Sequence, residues 1–212
     1  ISATKSLTVN NGVFNALTTN LSGTNVTVNS TAVTGDLIAT TAGNLITNNG
    51  SVSGNTTYTA NSITSNGTNY TGDVILSSTK DAIFNSTSDL NFVTPTIGCK
   101  LTATTAGNIN IKNGGSIIGD TTLTADKAVS VNAGSTNTLA LGNLNIKTSP
   151  TNASKSDASI NVNNITSNNV ELASNGGIRS NVTATNSTIS GSLKINNSYG
   201  TTIDNLTVNN GT

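Results

Sequence analysis

Short apolar-polar-apolar triplets recur along this chain and give the first prediction of its fold. They include Leu7-Thr8-Val9, Val26-Thr27-Val28, Ile109-Asn110-Ile111, Val129-Ser130-Val131 and Leu206-Thr207-Val208. Alternation with a period of two is typical of strands that bury one face. Asn-Gly and Asn-Asn pairs stand between the triplets and favour tight corners, because these residues tolerate a left-handed backbone. The pattern therefore predicts many very short strands joined by corners.

The spacing of the triplets indicates a repeat. Triplets that begin at residues 90, 109 and 129 are 19 and 20 apart, and those at 139, 160 and 182 are 21 and 22 apart. Two longer echoes agree, because residues 39–45 return at 103–109, a shift of 64, and residues 62–66 resemble residues 164–168, a shift of 102. Three turns of about 21 residues and five of about 20 explain both shifts, and a drifting period near 20 is typical of a solenoid.

The repeat lacks the Leu-x-x-Leu-x-Leu frame of leucine-rich repeats, which leaves the parallel β-helix. We predict an all-β, single-domain parallel β-helix (β-solenoid), expected to be right-handed, with about 20 residues per turn and about ten turns. It should be one continuous solenoid over residues 1–212, about 50 Å long at a strand spacing of about 4.8 Å. Residues 147–157 have no large apolar side chain and include Pro150, so we predict a loop between turns there.

Composition fits this interpretation. Asn, Thr and Ser together fill 101 of 212 positions, which is unlike an ordinary globular enzyme. Strong helix formers are scarce, while Thr, Val and Ile favour strands. An apolar content of 33% supplies roughly seven apolar residues per turn, enough for a narrow core. The small polar residues are then expected at the corners and on the outward faces.

Charge argues against two classes of partner. Nine Lys and Arg balance nine Asp and Glu, and no basic cluster occurs. The chain therefore lacks the positive patch that nucleic acid or an anionic membrane surface would need. Apolar runs such as Val74-Ile75-Leu76 are far shorter than the roughly 20 residues of a membrane span. We expect neither nucleic-acid binding nor membrane insertion.

Candidate chemistry is equally sparse. The chain has no His, one Cys and isolated acidic residues, so we predict no metal site, no cofactor, no catalytic group and no enzymatic activity. Cys99, with Ile97 and Leu101 on either side, is predicted to be a small core residue. Ile1 takes the place of Met and no leader follows, so we expect a processed form or a piece of an exported protein.

One polar pattern is a candidate surface. Five triplets with Thr or Asn on either side of an apolar residue recur at steps of 20, 21, 18 and 22. They predict two outward polar columns on one flat face, formed by Thr102 and Thr104, Thr122 and Thr124, Asn143 and Asn145, Asn161 and Asn163, and Thr183 and Thr185. Flat threonine ladders order water in β-solenoid ice-binding proteins. Ice binding is therefore one hypothesis.

Both ends of the chain carry the same six residues. Residues 7–12, Leu-Thr-Val-Asn-Asn-Gly, return as residues 206–211, so both ends have the pattern of inner turns. Uncovered strand edges can pair with another chain. The predicted stacking ends are Leu7 and Val9 at one end and Leu206 and Val208 at the other. A second hypothesis is thus a structural subunit of an extracellular filament or surface layer, with copies stacked end to end.

The composition, the period near 20 and the run LTATTAGNINI from Leu101 to Ile111 resemble the secreted β-helical adhesins of Gram-negative bacteria. The nearest type is that of filamentous haemagglutinin and the high-molecular-weight adhesins, followed by autotransporter passengers. The resemblance covers nearly the whole chain, although the signal peptide and N-terminal secretion domain of that family are not in it. It implies an extracellular, cell-surface rod that contacts host or neighbouring cells or their glycans. Our first functional hypothesis is therefore a non-enzymatic adhesin segment that mediates attachment.

Overall fold

A computed structural model of the chain describes residues 1–149, 158–174, 181–197 and 200–209, which contain 27 β-strands and no helix. Neighbouring strands pair in parallel, one turn apart. Leu7 pairs with Val26 and Val26 with Leu45, so the residue number rises by 19 at each step. The predicted all-β parallel β-solenoid of about ten turns is confirmed.

Three sheets form the sides of the solenoid. Sheet 1 contains one strand from each turn and is continuous along the described chain. Its strands are β1 (Leu7–Asn10), β4 (Val26–Asn29), β7 (Asn44–Asn48), β10 (Ser62–Asn66), β13 (Ala82–Ser86), β15 (Leu101–Thr105), β18 (Thr121–Ala125), β21 (Leu144–Thr148), β24 (Val170–Ser174) and β26 (Leu193–Asn197).

Sheet 2 occupies the second side in the first four turns and contains four very short strands. They are β2 (Val13–Phe14), β5 (Ala32–Val33), β8 (Ser51–Val52) and β11 (Asn69–Tyr70).

Sheet 3 has 13 strands and forms the remaining side or sides. It contains β3 (Thr18–Gly23), β6 (Asp36–Thr41), β9 (Thr56–Ala60), β12 (Val74–Ser78), β14 (Leu90–Ile97), β16 (Ile109–Lys112), β17 (Gly115–Ile117), β19 (Val129–Asn132), β20 (Leu139–Leu141), β22 (Ile160–Asn163), β23 (Ile165–Ser167), β25 (Asn181–Ile189) and β27 (Gly200–Val208). From β14 onward it divides into two branches, because the start of β14 pairs with β16 and its end with β17. The branches rejoin at β25, which pairs with both β22 and β23.

Turn length increases in the second half of the solenoid. In sheet 1, Thr121 pairs with Leu144, a step of 23 in residue number, and Leu144 pairs with Val170, a step of 26. The predicted loop at 147–157 falls within this expansion. Lys147 and Thr148 still belong to β21, so its first two residues were placed wrongly, and residues 150–157 lie outside the described residues.

The core is a stack of inward columns of aliphatic side chains with one aromatic array in its middle. Tyr58, Tyr70, Phe84 and Phe92 are buried. Their successive ring centroids are 6.2, 6.1 and 5.1 Å apart in edge-on or tilted arrangements. Such geometry is favourable for aromatic pairs. The array links the third, fourth and fifth turns.

Buried hydroxyl groups satisfy one another beside this array. The Tyr70 hydroxyl lies 2.7 Å from Ser65 Oγ, 3.2 Å from the Tyr58 hydroxyl and 3.3 Å from Thr47 Oγ1. Burial raises the pKa of both tyrosines, that of Tyr58 well above its usual value, because desolvation disfavours the phenolate. A polar cluster is tolerated in the core because its members pair.

Asn, Asp and Ser side chains connect successive turns at the corners. The Asn44 backbone N–H donates to Asn25 Oδ1 at 2.9 Å, and the Lys100 N–H donates to Asp81 Oδ1 at 3.0 Å. At the corner that directly follows a strand of sheet 1, Asn11 and Asn49 have positive φ angles of 52°, a backbone conformation that Asn adopts readily. These two uses explain why a chain so rich in Asn forms regular corners.

Cys99 is exposed, so its assignment to the core was wrong. Ile97 ends β14 and Leu101 begins β15, and both are buried. The three residues between them turn the corner, where Gly98 and Lys100 accompany the cysteine. The period of two therefore does not continue from one strand into the next.

Candidate functional surfaces

The first four residues of the predicted polar columns lie in sheet 1. Thr102 pairs with Thr122 and Thr104 pairs with Thr124, and all four residues are outward. The next partners are Asn145 for Thr122 and Lys147 for Thr124. Asn143 therefore lies at the corner that precedes β21, and the predicted alignment is shifted by two positions at this turn.

The remaining four predicted residues lie in sheet 3 rather than sheet 1. Asn161 pairs with Thr183 and Asn163 with Thr185 between β22 and β25. The ten residues thus do not form two columns on one face, which corrects that prediction. The reason is the lengthening of the turns. Where a turn is longer than about 20 residues, counting 20 residues forward from one side of the solenoid leads to a residue on a different side.

A different column of hydroxyl side chains runs along sheet 3 through all ten turns. Its members face outward and each pairs with the next: Ser22, Thr40, Thr59, Ser77, Thr96, Ser116, Ala140, Thr166, Thr188 and Thr207. Nine of these ten are Ser or Thr, whereas the whole chain has 65 in 212. We call these ten residues the hydroxyl column.

Eight of the nine hydroxyls of this column have no hydrogen-bond partner among the described residues. Ser22 Oγ donates to Ser2 Oγ, but within the described ranges the other eight hydroxyls make no hydrogen bond to the protein. The asparagine column of sheet 1 is different, because Asn29 Nδ2 donates to Asn10 Oδ1 at 2.8 Å. Side chains that bond one another have less capacity for a ligand.

In the first half of the solenoid, the outward column next to the hydroxyl column is mostly aliphatic. Ile38, Thr57, Ile75 and Val93 form the adjacent outward column, and Ile75 is 42% exposed. Further along, Thr166 and Thr188 line a shallow cleft of about 140 Å³ together with Leu141. The column therefore presents hydroxyl groups beside aliphatic surface and then beside a cleft.

The predicted stacking ends lie on different sides of the solenoid. Leu7 and Val9 belong to β1 in sheet 1, whereas Leu206 and Val208 belong to β27 in sheet 3. All four side chains are half-buried against the core. In sheet 1 the residues at the other end of the same inward columns are Leu193 and Ile195, so the repeated six-residue motif does not mark equivalent positions.

The hydroxyl column had no simple sequence signal. Its steps are 18 from Ser22 to Thr40, 19 from Thr40 to Thr59, and 26 from Ala140 to Thr166. A search with one period cannot follow such steps. The usable signal would have been the corner residues, since the inward and outward positions can be counted from each corner.

Charged groups are scattered over the described part of the chain. The structure places Lys112 Nζ 2.9 Å from Asp73 Oδ1 and Lys194 Nζ 2.8 Å from Glu171 Oε1. Within the described ranges, no three His, Cys, Asp or Glu side chains gather in a group able to hold a metal ion. The same ranges contain no helix that is long and apolar enough to cross a membrane.

Comparisons with protein-family models, with curated proteins and with solved structures find no match to this chain.

Proposed function

We propose that the chain is a non-enzymatic extracellular rod, a cell-surface adhesin segment that mediates attachment to a host or neighbouring cell. The observation that supports this most directly is the hydroxyl column, because eight of its ten residues carry hydroxyls that make no hydrogen bond to the described part of the chain. The extracellular location comes from the resemblance to secreted β-helical adhesins.

An extended face suits attachment better than it suits a small soluble ligand. Neighbouring strands are about 4.8 Å apart, so every turn except that of Ala140 adds one hydroxyl at a regular interval along the rod. Each contact with a partner is worth little, but many contacts in line act together. The Ile75 and Val93 side chains beside the column add apolar contact that does not depend on charge.

The test is binding of the purified chain to cells and to a glycan array. Thr59→Glu with Thr96→Glu should weaken attachment by introducing charge into the hydroxyl column. The matched control, Thr8→Glu with Thr104→Glu, changes two outward threonines of sheet 1 and should leave attachment unchanged. Absence of attachment at micromolar protein, or equal loss in both double variants, would overturn the proposal.

The hydroxyl column also favours ice binding as a competing function, because regular threonine hydroxyls and methyls can order water. Freezing hysteresis of the folded chain measures this function directly. Hysteresis that Thr59→Glu with Thr96→Glu abolishes, without any attachment to cells, would replace the adhesin by the ice-binding proposal. Absence of freezing hysteresis in the folded chain would rule out the ice-binding proposal.

End-to-end stacking of copies is a third candidate function, and the half-buried apolar side chains at the two ends favour it. Leu7 and Val9 begin the same inward columns in which Leu193 and Ile195 lie. Pairing β1 of one copy with β26 of a second copy would therefore continue both columns and cover all four side chains. The rod would then be the subunit of a filament or surface layer.

Sedimentation of the purified chain tests stacking. The expected result is growth of the assemblies with protein concentration and its loss in Leu7→Arg, with circular dichroism to show that the variant is folded. Thr8→Arg places the same charge on the outward side of the same strand and should still assemble. A monomer at all concentrations would contradict the stacking proposal and leave attachment unaffected.

A further inference from the structure

A polar trough runs along sheet 1 across the seventh to tenth turns. Its volume is about 330 Å³, within the usual range of small-ligand sites. The buried residues Thr121, Leu144 and Val170 form its floor. Polar side chains on either side of this floor form two walls parallel to the axis of the solenoid. We call this feature the trough.

The first wall is a continuous hydrogen-bonded chain of corner side chains. Asn143 Nδ2 donates to Asp120 Oδ1 at 2.8 Å, and Asn169 Nδ2 donates to Asn143 Oδ1 at 2.8 Å. Ser192 donates to Asn169 Oδ1 from both its backbone N–H and its hydroxyl, at 2.9 and 3.0 Å. These bonds fix the orientation of every amide, so the wall is ordered before a ligand arrives.

The first wall nevertheless keeps capacity for a ligand. Asp120 Oδ2 accepts no hydrogen bond from the residues that the structure describes. A carboxylate oxygen of this kind is a strong acceptor for a hydroxyl or an ammonium group.

The second wall carries the charged pair of sheet 1. Thr122, Asn145, Glu171 and Lys194 occupy one outward column in successive turns. Lys194 Nζ lies 2.8 Å from Glu171 Oε1, and Asn145 Nδ2 donates to Glu171 Oε2 at 3.4 Å. The ammonium group has two further donors, and Asn145 Oδ1 is a free acceptor among the described residues.

The trough is specific to these turns. In the second and fourth turns the same outward column carries Thr27 and Thr64, and in the third it carries Ile46. Those side chains are shorter or lack polar groups, whereas Glu171 and Lys194 are long and raise the second wall. The local lengthening of the turns between β18 and β24 accompanies this change.

We propose that the trough binds a short linear oligosaccharide, uncharged or carrying amino groups, that lies along the axis of the solenoid. Sugar hydroxyls both donate and accept, and the trough offers carboxylate and amide acceptors together with amide and ammonium donors. Asp120 and Glu171 outnumber Lys194, so the site disfavours sulfated or phosphorylated sugars. Four turns at about 4.8 Å give a length that suits several sugar units better than one.

This inference rests on the proposed attachment function and names the ligand class and the place on the rod. It predicts that the trough, rather than the hydroxyl column, selects among glycans. The ends of the hydrogen-bonded wall at Asp120 and Ser192 bound the length of chain that can be recognised.

Calorimetric titration with three probes tests the inference. The probes are cellotriose, a glucosamine trimer and a sulfated disaccharide. The first two are expected to bind and the third is not. Glu171→Gln should weaken binding of the glucosamine trimer by about tenfold, since a charged acceptor is lost. Asn145→Ala should weaken both binding probes, while Thr64→Ala, in the same outward column outside the trough, should leave both unchanged.

The outcomes separate the two proposals. Failure of both trimers to bind, tighter binding of the sulfated probe, or binding that Glu171→Gln and Asn145→Ala do not alter would overturn the trough inference. Cell attachment would still stand if it persisted in those two variants. Binding of the trimers without any cell attachment would keep the trough and overturn the attachment function.

Discussion

The side-chain amide of Asn29 donates from Nδ2 to Oδ1 of Asn10, one turn earlier, over 2.8 Å. Asn48 donates to Asn29 Oδ1 in the same way, also at 2.8 Å. Asn29 is therefore a donor to one turn and an acceptor from the next. The bonds run parallel to the backbone ladder and hold the three turns in register.

Asn29→Ala should lower the free energy of unfolding by about 1–3 kcal/mol, because two hydrogen bonds are lost. The measurement is denaturant unfolding followed by circular dichroism. Thr59→Val is the control, since its hydroxyl has no partner in the described chain and valine keeps the branched shape. Its effect should stay within about 0.5 kcal/mol. Equal effects in the two variants would show that the amide ladder does not stabilise the fold.

Phe84 lies at the centre of the aromatic array, fully buried between Tyr70 and Phe92. Phe84→Ala should cost about 3–5 kcal/mol of stability, because it removes the buried ring and its contacts with Tyr70 and Phe92 and leaves a cavity. Ile83→Ala is a matched control in the same strand, with a side chain that points outward and is 37% exposed. It should cost about 1 kcal/mol or less. Thermal or denaturant unfolding of both variants measures these losses, and an equal loss of stability in the two variants would contradict the central role of Phe84 in the core.

The buried tyrosines predict loss of stability at alkaline pH. Burial raises the pKa of Tyr58 well above the ordinary 10.0, so the folded state holds the phenolic proton more tightly than the unfolded state. This contribution is fully present below pH 10 and is lost as the pH rises above it. Tyr58→Phe should therefore lose stability less steeply above pH 10 than the parent chain does. Identical slopes in the two proteins would refute the prediction.

Cys99 should react with a maleimide in the folded protein, because its side chain is exposed at the corner between β14 and β15. We expect labelling of one thiol per chain at the same rate with and without denaturant, to within about a factor of ten. Mass spectrometry gives the stoichiometry, and circular dichroism checks that the labelled protein remains folded. Slow labelling that denaturant accelerates by orders of magnitude would show that Cys99 is buried in the folded protein.

The strands and the turn length could be predicted from the sequence because both depend on local pattern. Leu7 and Val9 in β1, like Ile109 and Ile111 in β16, flank an outward polar residue, and each of these two triplets lies in a strand of four residues. A narrow solenoid core needs little else from the sequence. The alternation within each strand and the near-constant spacing between strands together predict the parallel β-solenoid that the structure shows.

The assignment of residues to sides of the solenoid could not be predicted in this way. Thr41 and Thr105 lie in matching segments, and each accepts a backbone bond from a glycine two positions later, Gly43 at 3.1 Å and Gly107 at 3.0 Å. Yet Thr41 ends a strand of sheet 3 and Thr105 ends a strand of sheet 1. The two segments are therefore similar in sequence because they form the same local corner structure, although they lie at different corners of the solenoid. The polar columns were misaligned for the same reason, because similar corner sequences do not show which side of the solenoid the next strand belongs to.

The links between Asn10, Asn29 and Asn48 span one turn each, and the backbone pairings do the same. Every contact of this kind therefore closes a loop of one turn, which is 19 residues between Leu7 and Val26 and 26 residues between Leu144 and Val170, and the entropy of closure changes only slowly with such differences in length. The entropy needed to add a turn then stays nearly constant, so folding can proceed as growth from any formed pair of turns. We expect the folding rate to depend on how readily the first pair forms and only weakly on the total number of turns.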